Sequence, residues 1–347
     1  MLSPFAIRAL SFAVAAAMAT ACGSRPQAPP TFELSGSTMG TRYVVKVVGG
    51  GGDVEAERAL AELVEAELTH VDELMSTYRA ESELSRFNRH ADLTPFAVSE
   101  ATFEVFAEAA RISDWTDGAF DITVGPLVEA WGFGASPASA PPSDVQVESL
   151  RQRVGFAKLQ LDASTRSVRK LDPAVEGDLS AIAKGYAVDR VAEALEAAGF
   201  PRFMVEVGGE VRVGGTNDAG APWRIAIEQP DAVSFQTIVP LVDAAVATSG
   251  DYRNFYEWEG GRVSHTIDPR TGRPVEHALA SVTVVSGRCV TADALATALS
   301  VLGPDDGYRF AVANDVAALM LTRWAGGGFD ERSTPAFQRL LDEAGVR

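Results

Sequence analysis

Long helical periodicities and short β-rich runs follow one another along this 347-residue chain without regular strand–helix alternation. That order narrows the fold more than any other feature. Val54–Met75 repeats Leu60, Leu63, Val64, Leu68, Val71, Leu74 and Met75 at helical spacing, which predicts a long amphipathic helix. Ser99–Trp115 predicts a second, with Phe103, Phe106, Ala110 and Trp115 inward. Cys289–Leu302 predicts a third, Ser82–Asn88 a short turn of helix, and Phe337–Leu341 lies in a closing helix. Between them, Phe32–Val48 is β-rich, and Phe156–Leu161 with Ser167–Leu171 reads as a hairpin. Phe203–Val207, Val211–Gly214 and Trp223–Ile227 read as strands, and Gln236–Val242 with Ala244–Thr248 as another hairpin. Val263–Asp268, Ser281–Ser286 and Val316–Thr322 complete the strands. The expectation is an α+β fold of mixed or antiparallel sheets with layered helices, not a doubly wound parallel sheet.

Residues 1–21 read as a secretory signal, because Arg8 precedes an apolar run, Ala9–Ala21, too short to span a bilayer. The run ends Met-Ala-Thr-Ala-Cys, which is similar to a bacterial lipoprotein cleavage box with Cys22 as the lipidated residue. Ala19 stands where leucine is usual, and a plain signal cut near Ala21 is the alternative. Residues 22–31 then read as a small-residue and proline-rich tether, and 32–347 as the folded domain. These features place the mature protein outside the cytoplasm, lipid-anchored on the periplasmic side of a bacterial membrane. A net charge of −17 argues against unaided binding to nucleic acid or to an anionic membrane surface. A phosphate ligand would need a local cation. Two cysteines far apart imply no disulfide framework.

Three stretches can carry chemistry. Asp178–Asp189 reads Asp-Leu-Ser-Ala-Ile-Ala-Lys-Gly-Tyr-Ala-Val-Asp and opens a helical pattern, with Ile182, Val188, Val191, Leu195 and Ala198 on one face. Asp178 and Ser180 are candidate N-caps, the small residues let a ligand approach the backbone, and Lys184 adds positive charge where free N–H groups suit an anion. An ordinary capped amphipathic helix has the same appearance. Asp293 and Thr297 lie four residues apart, on one face of a helix, and offer the hard oxygens that Mg²⁺ accepts. A cap and a back-bonded hydroxyl are the structural alternative. His265, in His-Thr-Ile-Asp-Pro-Arg-Thr-Gly, suits a general base near neutral pH, while Asp268–Gly272 is also an ordinary tight turn. His70, His90 and His277 have no such neighbours. Walker A, Gly-x-Gly-x-x-Gly, His-Glu-x-x-His, Cys-x-x-Cys and Gly-x-Ser-x-Gly are all absent.

The chain resembles the ApbE family, the FAD:protein FMN transferases. The resemblance rests on eight stretches in family order: Gly-Ser-Thr-Met-Gly-Thr (36–41), Ser-Thr-Tyr-Arg (76–79), Phe-Asp-Ile-Thr-Val-Gly-Pro-Leu-Val (120–128), residues 178–189, Gly-Gly-Glu (208–210), Ala-Thr-Ser-Gly-Asp-Tyr (247–252), residues 264–272 and Ala-Asp-Ala-Leu-Ala-Thr (292–297). It implies two interleaved subdomains around a central cleft that holds FAD. It implies flavin or adenosine contacts from Met39, Tyr78, Ala119, Phe120, Asp121, Asp178, Lys184 and Ile267. It implies a metal held by Asp293, Thr297 and the backbone carbonyl of Ala181, and His265 as the base that deprotonates the acceptor. The implied activity is Mg²⁺-dependent transfer of FMN from FAD to a threonine or serine hydroxyl of an acceptor protein, with release of AMP. The implied acceptor is a flavoprotein subunit with a Ser/Thr-Gly-Ala-Thr-like motif. An FAD pyrophosphatase and a non-catalytic periplasmic FAD-binding protein are the competing functions.

Overall fold

The computed structural model describes residues 29–134, 140–230, 235–251 and 254–343. The leader 1–21, Cys22, most of the tether, and Tyr252 of the 247–252 stretch lie outside the described residues. In chain order the elements are β1 (Thr31–Thr38), β2 (Thr41–Val48), α1 (Val54–Met75), α2 (Glu83–Arg89), β3 (Phe96–Ala97), α3 (Glu100–Trp115), α4 (Gly125–Ala130), α5 (Asp144–Arg151), β4 (Leu159–Asp162) and β5 (Ser167–Lys170). They continue with α6 (Ala183–Ala197), β6 (Phe203–Val207), β7 (Glu210–Gly214), β8 (Trp223–Glu228), β9 (Phe235–Leu241), β10 (Ala244–Gly250), β11 (Phe255–Trp258) and β12 (Gly261–Ser264). The last are β13 (Ile267–Asp268), β14 (Arg273–Pro274), β15 (Leu279–Ser286), α7 (Cys289–Ala313), β16 (Ala317–Arg323), β17 (Phe329–Ser333) and α8 (Pro335–Glu343).

The organising layer is an eight-stranded sheet in the order β1-β2-β6-β7-β10-β15-β16-β17, antiparallel throughout. Side chains alternate across it. Val45, Val205, Ala247 and Val284 face the main core, which they share with Leu60, Val64, Leu68, Val188, Val191 and Leu299 of the helices. Val211, Val213, Val246 and Val285 face the other side, covered by Trp223 and Ile227 of β8, Val239 and Leu241 of β9, and Phe337 of α8. A separate small core of Leu127, Trp131, Val147, Val154 and Ile267 ties α4 and α5 to the β13 segment. Helix starts are capped locally: Asp53 accepts from the Ala56 N–H, Ser82 from Ser85 and Ser99 from Thr102.

Several sequence expectations shift. The inward face of α3 is Val105, Phe106, Ala109 and Ile112, whereas Phe103, Ala110 and Trp115 are only partly buried. β9 pairs with β8, not with β10, and β10 enters the large sheet between β7 and β15. Ala245, Val246 and Ala247 are buried in succession, as in a central strand covered on both faces. The 263–268 strand is broken, because the Thr266 N–H donates to Ser264 Oγ, and His265 sits in the break. α7 runs on past Leu302: Gly303 has φ 82°, and Pro304 starts a second helical piece that reaches Ala313. α4, α5 and the edge strands β3 and β17 are additional.

Candidate active site

α6 begins later than its candidate caps suggest. Asp178 Oδ1 accepts from the Ser180 N–H, a turn of its own, and Leu179 O accepts from Ile182 and Ala183 before the helix starts at Ala183. Ala198 caps the far end and is exposed rather than on the buried face. The delayed start puts Lys184 in the first turn and leaves Ala181 in the loop ahead of it.

Helix α7 carries Asp293 and Thr297, and it crosses α6 in contact. The Gly185 N–H donates to Asp293 Oδ2 at 2.9 Å. A Cβ at Gly185 would sit 2.5 Å from Cys289 O and 2.8 Å from Asp293 Cβ, so only glycine allows this approach. One turn further along α6, Asp189 is fully buried and accepts from the Cys289 and Val290 N–H groups at 3.0 Å each, capping α7 from outside. Arg212 of β7 donates to the same carboxylate at 2.9 Å. Asp293 therefore does not cap its own helix, and among the described residues no hydrogen bond claims the Thr297 hydroxyl one turn on.

The charges here are tightly grouped. Lys184 Nζ donates to Glu210 Oε1 at 2.5 Å. Burial works against the Lys184 ammonium, but Glu210 and Asp293 outweigh it and hold its pKa above the ordinary lysine value. Burial pushes Asp293 up, and Lys184 and the Gly185 N–H pull it back. Burial likewise raises Glu210 against the pull of Lys184, yet at 2.5 Å the ion pair is the form the geometry holds. Glu210 Oε2 is buried without a partner among the described residues. Burial, then the nearby carboxylates, push the Cys289 thiol well up, so it stays protonated and inert. Ala181, Lys184 and Thr297 keep partial exposure, while Asp293 and Glu210 do not.

His265 is a neutral imidazole. Burial lowers its pKa below 6.5, opposed by its bond to Asn254 and by Asp251 and assisted by the Lys184 charge. Nδ1 lies 2.9 Å from the Asn254 carbonyl, which fixes the proton on Nδ1 and leaves the Nε2 lone pair free. Phe133 packs edge-on to the ring at 6.2 Å.

The remaining positions divide. Asp178 N–H donates to Ile122 O at 2.6 Å, which seats the 119–122 loop beside it. Ala119 and Phe120 are buried, and Asp121 spends its oxygens on the Thr123 N–H and hydroxyl and the Phe156 N–H. Asp121 thus shapes the loop, and burial raises its pKa despite those bonds. Ile267 packs its side chain in the small core. Met39 sits at φ 49° in the β1–β2 turn, over a hollow of about 420 Å³ lined by residues 37–42. That turn touches the β6–β7 turn, since the Gly208 N–H donates to Arg42 O, two residues before Glu210. Tyr78 stands apart, 73% exposed on the loop after α1.

Glu210 and Asp189 gain roles here that sequence reasoning did not assign. Asp189 closes the 178–189 stretch, and its only sequence signal was a carboxylate on an otherwise apolar face. Glu210 follows two glycines, which signalled a turn and nothing about Lys184.

The donor set fits a hard divalent cation. Among the described residues no three His, Cys, Asp or Glu side chains form a metal cage. Among those residues are one carboxylate with a single oxygen engaged, that of Asp293, a hydroxyl one turn on that no hydrogen bond claims, that of Thr297, and a carboxylate oxygen of Glu210 without a partner. Mg²⁺ is held this way when substrate phosphates and water complete its shell.

The fold has close counterparts among solved structures. It matches the flavin transferase ApbE from Vibrio cholerae with a TM-score of 0.82 and 43% identity, covering 89% of this chain and 99% of that one. It matches the apo flavinyl transferase ApbE of Pseudomonas stutzeri with a TM-score of 0.83 and 39% identity, covering 91% and 98%. The molecule is thus an enzyme of the transferase class. The sequence is 45% identical over 315 residues to the FAD:protein FMN transferase of Vibrio cholerae, spanning 89% of this chain and 92% of the relative. It is 38% identical over 334 residues to that of Escherichia coli, spanning 92% and 93%. The model of the ApbE family matches residues 39–320. The chain belongs to the ApbE family.

Proposed function

We propose that this enzyme transfers FMN from FAD to a threonine or serine hydroxyl of an acceptor protein and releases AMP, with Mg²⁺ as its metal. The observation that supports the reading is the Gly185–Asp293 hydrogen bond, which joins the start of α6, four residues after Ala181, to the helix that carries Asp293 and Thr297. The relatives' names, FAD:protein FMN transferase, support FAD as donor.

The Ala181 carbonyl, the Asp293 carboxylate and the Thr297 hydroxyl would hold the cation, which when bound offsets the diphosphate charge and polarises its oxygens. Lys184, oriented by Glu210, adds charge compensation. Met39, Tyr78, Asp178 and the loop Ala119–Asp121 are assigned to the flavin and adenosine, with Ile267 contributing backbone. His265 takes the proton through Nε2. The acceptor oxygen bonds to the phosphorus on the FMN side, the bond to the AMP phosphate oxygen breaks, and AMP leaves with the electron pair. Positioning and electrostatics supply most of the rate. The reading includes export and a lipid on Cys22, which would place the enzyme on the periplasmic side beside an acceptor subunit with a Ser/Thr-Gly-Ala-Thr-like motif.

The test is incubation with FAD and Mg²⁺, with and without an acceptor carrying that motif. Covalent flavin on the acceptor with one AMP per flavin supports transfer. Free FMN and AMP at the same rate without acceptor would make the enzyme a pyrophosphatase, and intact FAD retained throughout would make it a carrier.

A further inference from the structure

Glu210 is 3% exposed and lies at the first position of β7, held there by the tight turn at Gly208 and Gly209. Its two oxygens have different fates. Oε1 takes the Lys184 ammonium, and Oε2 is buried with no partner among the described residues. A carboxylate oxygen left bare inside a protein costs free energy, so such an atom marks a place where a donor arrives with a ligand. Lys184, which holds Glu210 at 2.5 Å, is the residue before Gly185, whose N–H donates to Asp293 at 2.9 Å, so the bare oxygen belongs to the same cluster as the proposed cation.

We infer that Glu210 is a positioning residue for that cation: Oε2 accepts a hydrogen bond from a water in the metal's shell while Oε1 fixes Lys184. The inference rests on the Mg²⁺ reading above. Direct ligation is disfavoured, because the Lys184 ammonium already occupies the other oxygen and repels a second cation on the same carboxylate. A neutral water avoids that repulsion, and Mg²⁺ keeps several waters in most protein sites. Outer partners of this kind typically govern metal affinity by about 10–100-fold.

The test compares Mg²⁺ binding to wild type, Glu210→Gln and Asp293→Asn by titration calorimetry, with and without FAD. Gln keeps an acceptor for Lys184 but presents an amide donor where the water's hydrogen should go. E210Q is expected to bind Mg²⁺ about 10–100-fold more weakly, while metal-free FAD affinity stays within about threefold and Glu210→Asp recovers part of the loss. Wild-type Mg²⁺ affinity in E210Q, with D293N losing it, overturns the role of Glu210 and leaves the metal site standing. Wild-type affinity in D293N overturns the metal site itself. If E210Q does not fold, E210D carries the test, and Mg²⁺ affinity in it equal to wild type overturns the inference.

Discussion

Asp293 has two tasks. Its Oδ2 satisfies the Gly185 N–H, and the carboxylate is the proposed anionic ligand. Asp293→Ala is therefore expected to abolish Mg²⁺-dependent turnover and to lose about 1–3 kcal/mol of stability from the orphaned donor. Asp293→Asn keeps an acceptor and should lose turnover with a smaller stability change; urea unfolding beside an FMN-transfer assay distinguishes them. Normal turnover in either protein counts against the site. At His265 the sign follows from burial. Its pKa is depressed below 6.5, and only the neutral ring accepts a proton, so activity is full above that value and falls as pH drops through the lowered one. The acidic limb of kcat/KM should have its midpoint below 6.5 and vanish in His265→Ala. A midpoint above 6.5 would mean that another group sets it.

The contact between α6 and α7 joins the segments of the site. Gly185→Ala places a methyl against Cys289 O and Asp293 Cβ, and overpacking of this kind costs about 1–3 kcal/mol. The helices must part, so FMN transfer should drop more than thermal stability alone explains. Asp189→Ala leaves two α7 N–H groups without their acceptor, while Arg212 keeps Glu196 at 3.6 Å and Glu193 at 3.9 Å, so a loss of about 1–3 kcal/mol is expected in denaturant unfolding. A loss under about 1 kcal/mol would show that the cap is dispensable. Helix α1 was legible because apolar spacing from Leu60 to Met75 marks its buried face, while its start at Val54 is set by the Asp53 cap. The start of α5 lies in a Ser143-to-Gln146 capping box that no sequence expectation named. The pairing of β9 with β8 was not legible, since which strands meet depends on where distant apolar faces are covered. The same holds for Glu210 and Lys184, which become neighbours only through the order of strands in the sheet. Asp293 and Thr297 could be found because four residues is one helical turn.

An acidic molecule that handles a diphosphate needs its positive charge concentrated. The chain carries a net −17, and Lys184 is already committed to Glu210. Removal of divalent metal with EDTA should weaken FAD binding by about tenfold or more, about 1.4 kcal/mol, while the fold stays intact because α6 and α7 are joined by protein groups alone. Unchanged FAD affinity in EDTA would remove the need for a cation. The central question is where that cation sits. Crystals grown with FAD and Mn²⁺ and measured at the manganese absorption edge locate it directly. One anomalous peak within about 2.0–2.3 Å of the Ala181 carbonyl oxygen, an Asp293 carboxylate oxygen and Thr297 Oγ is the expected result. A peak away from these three atoms, or bound FAD with no peak between α6 and α7, would contradict it.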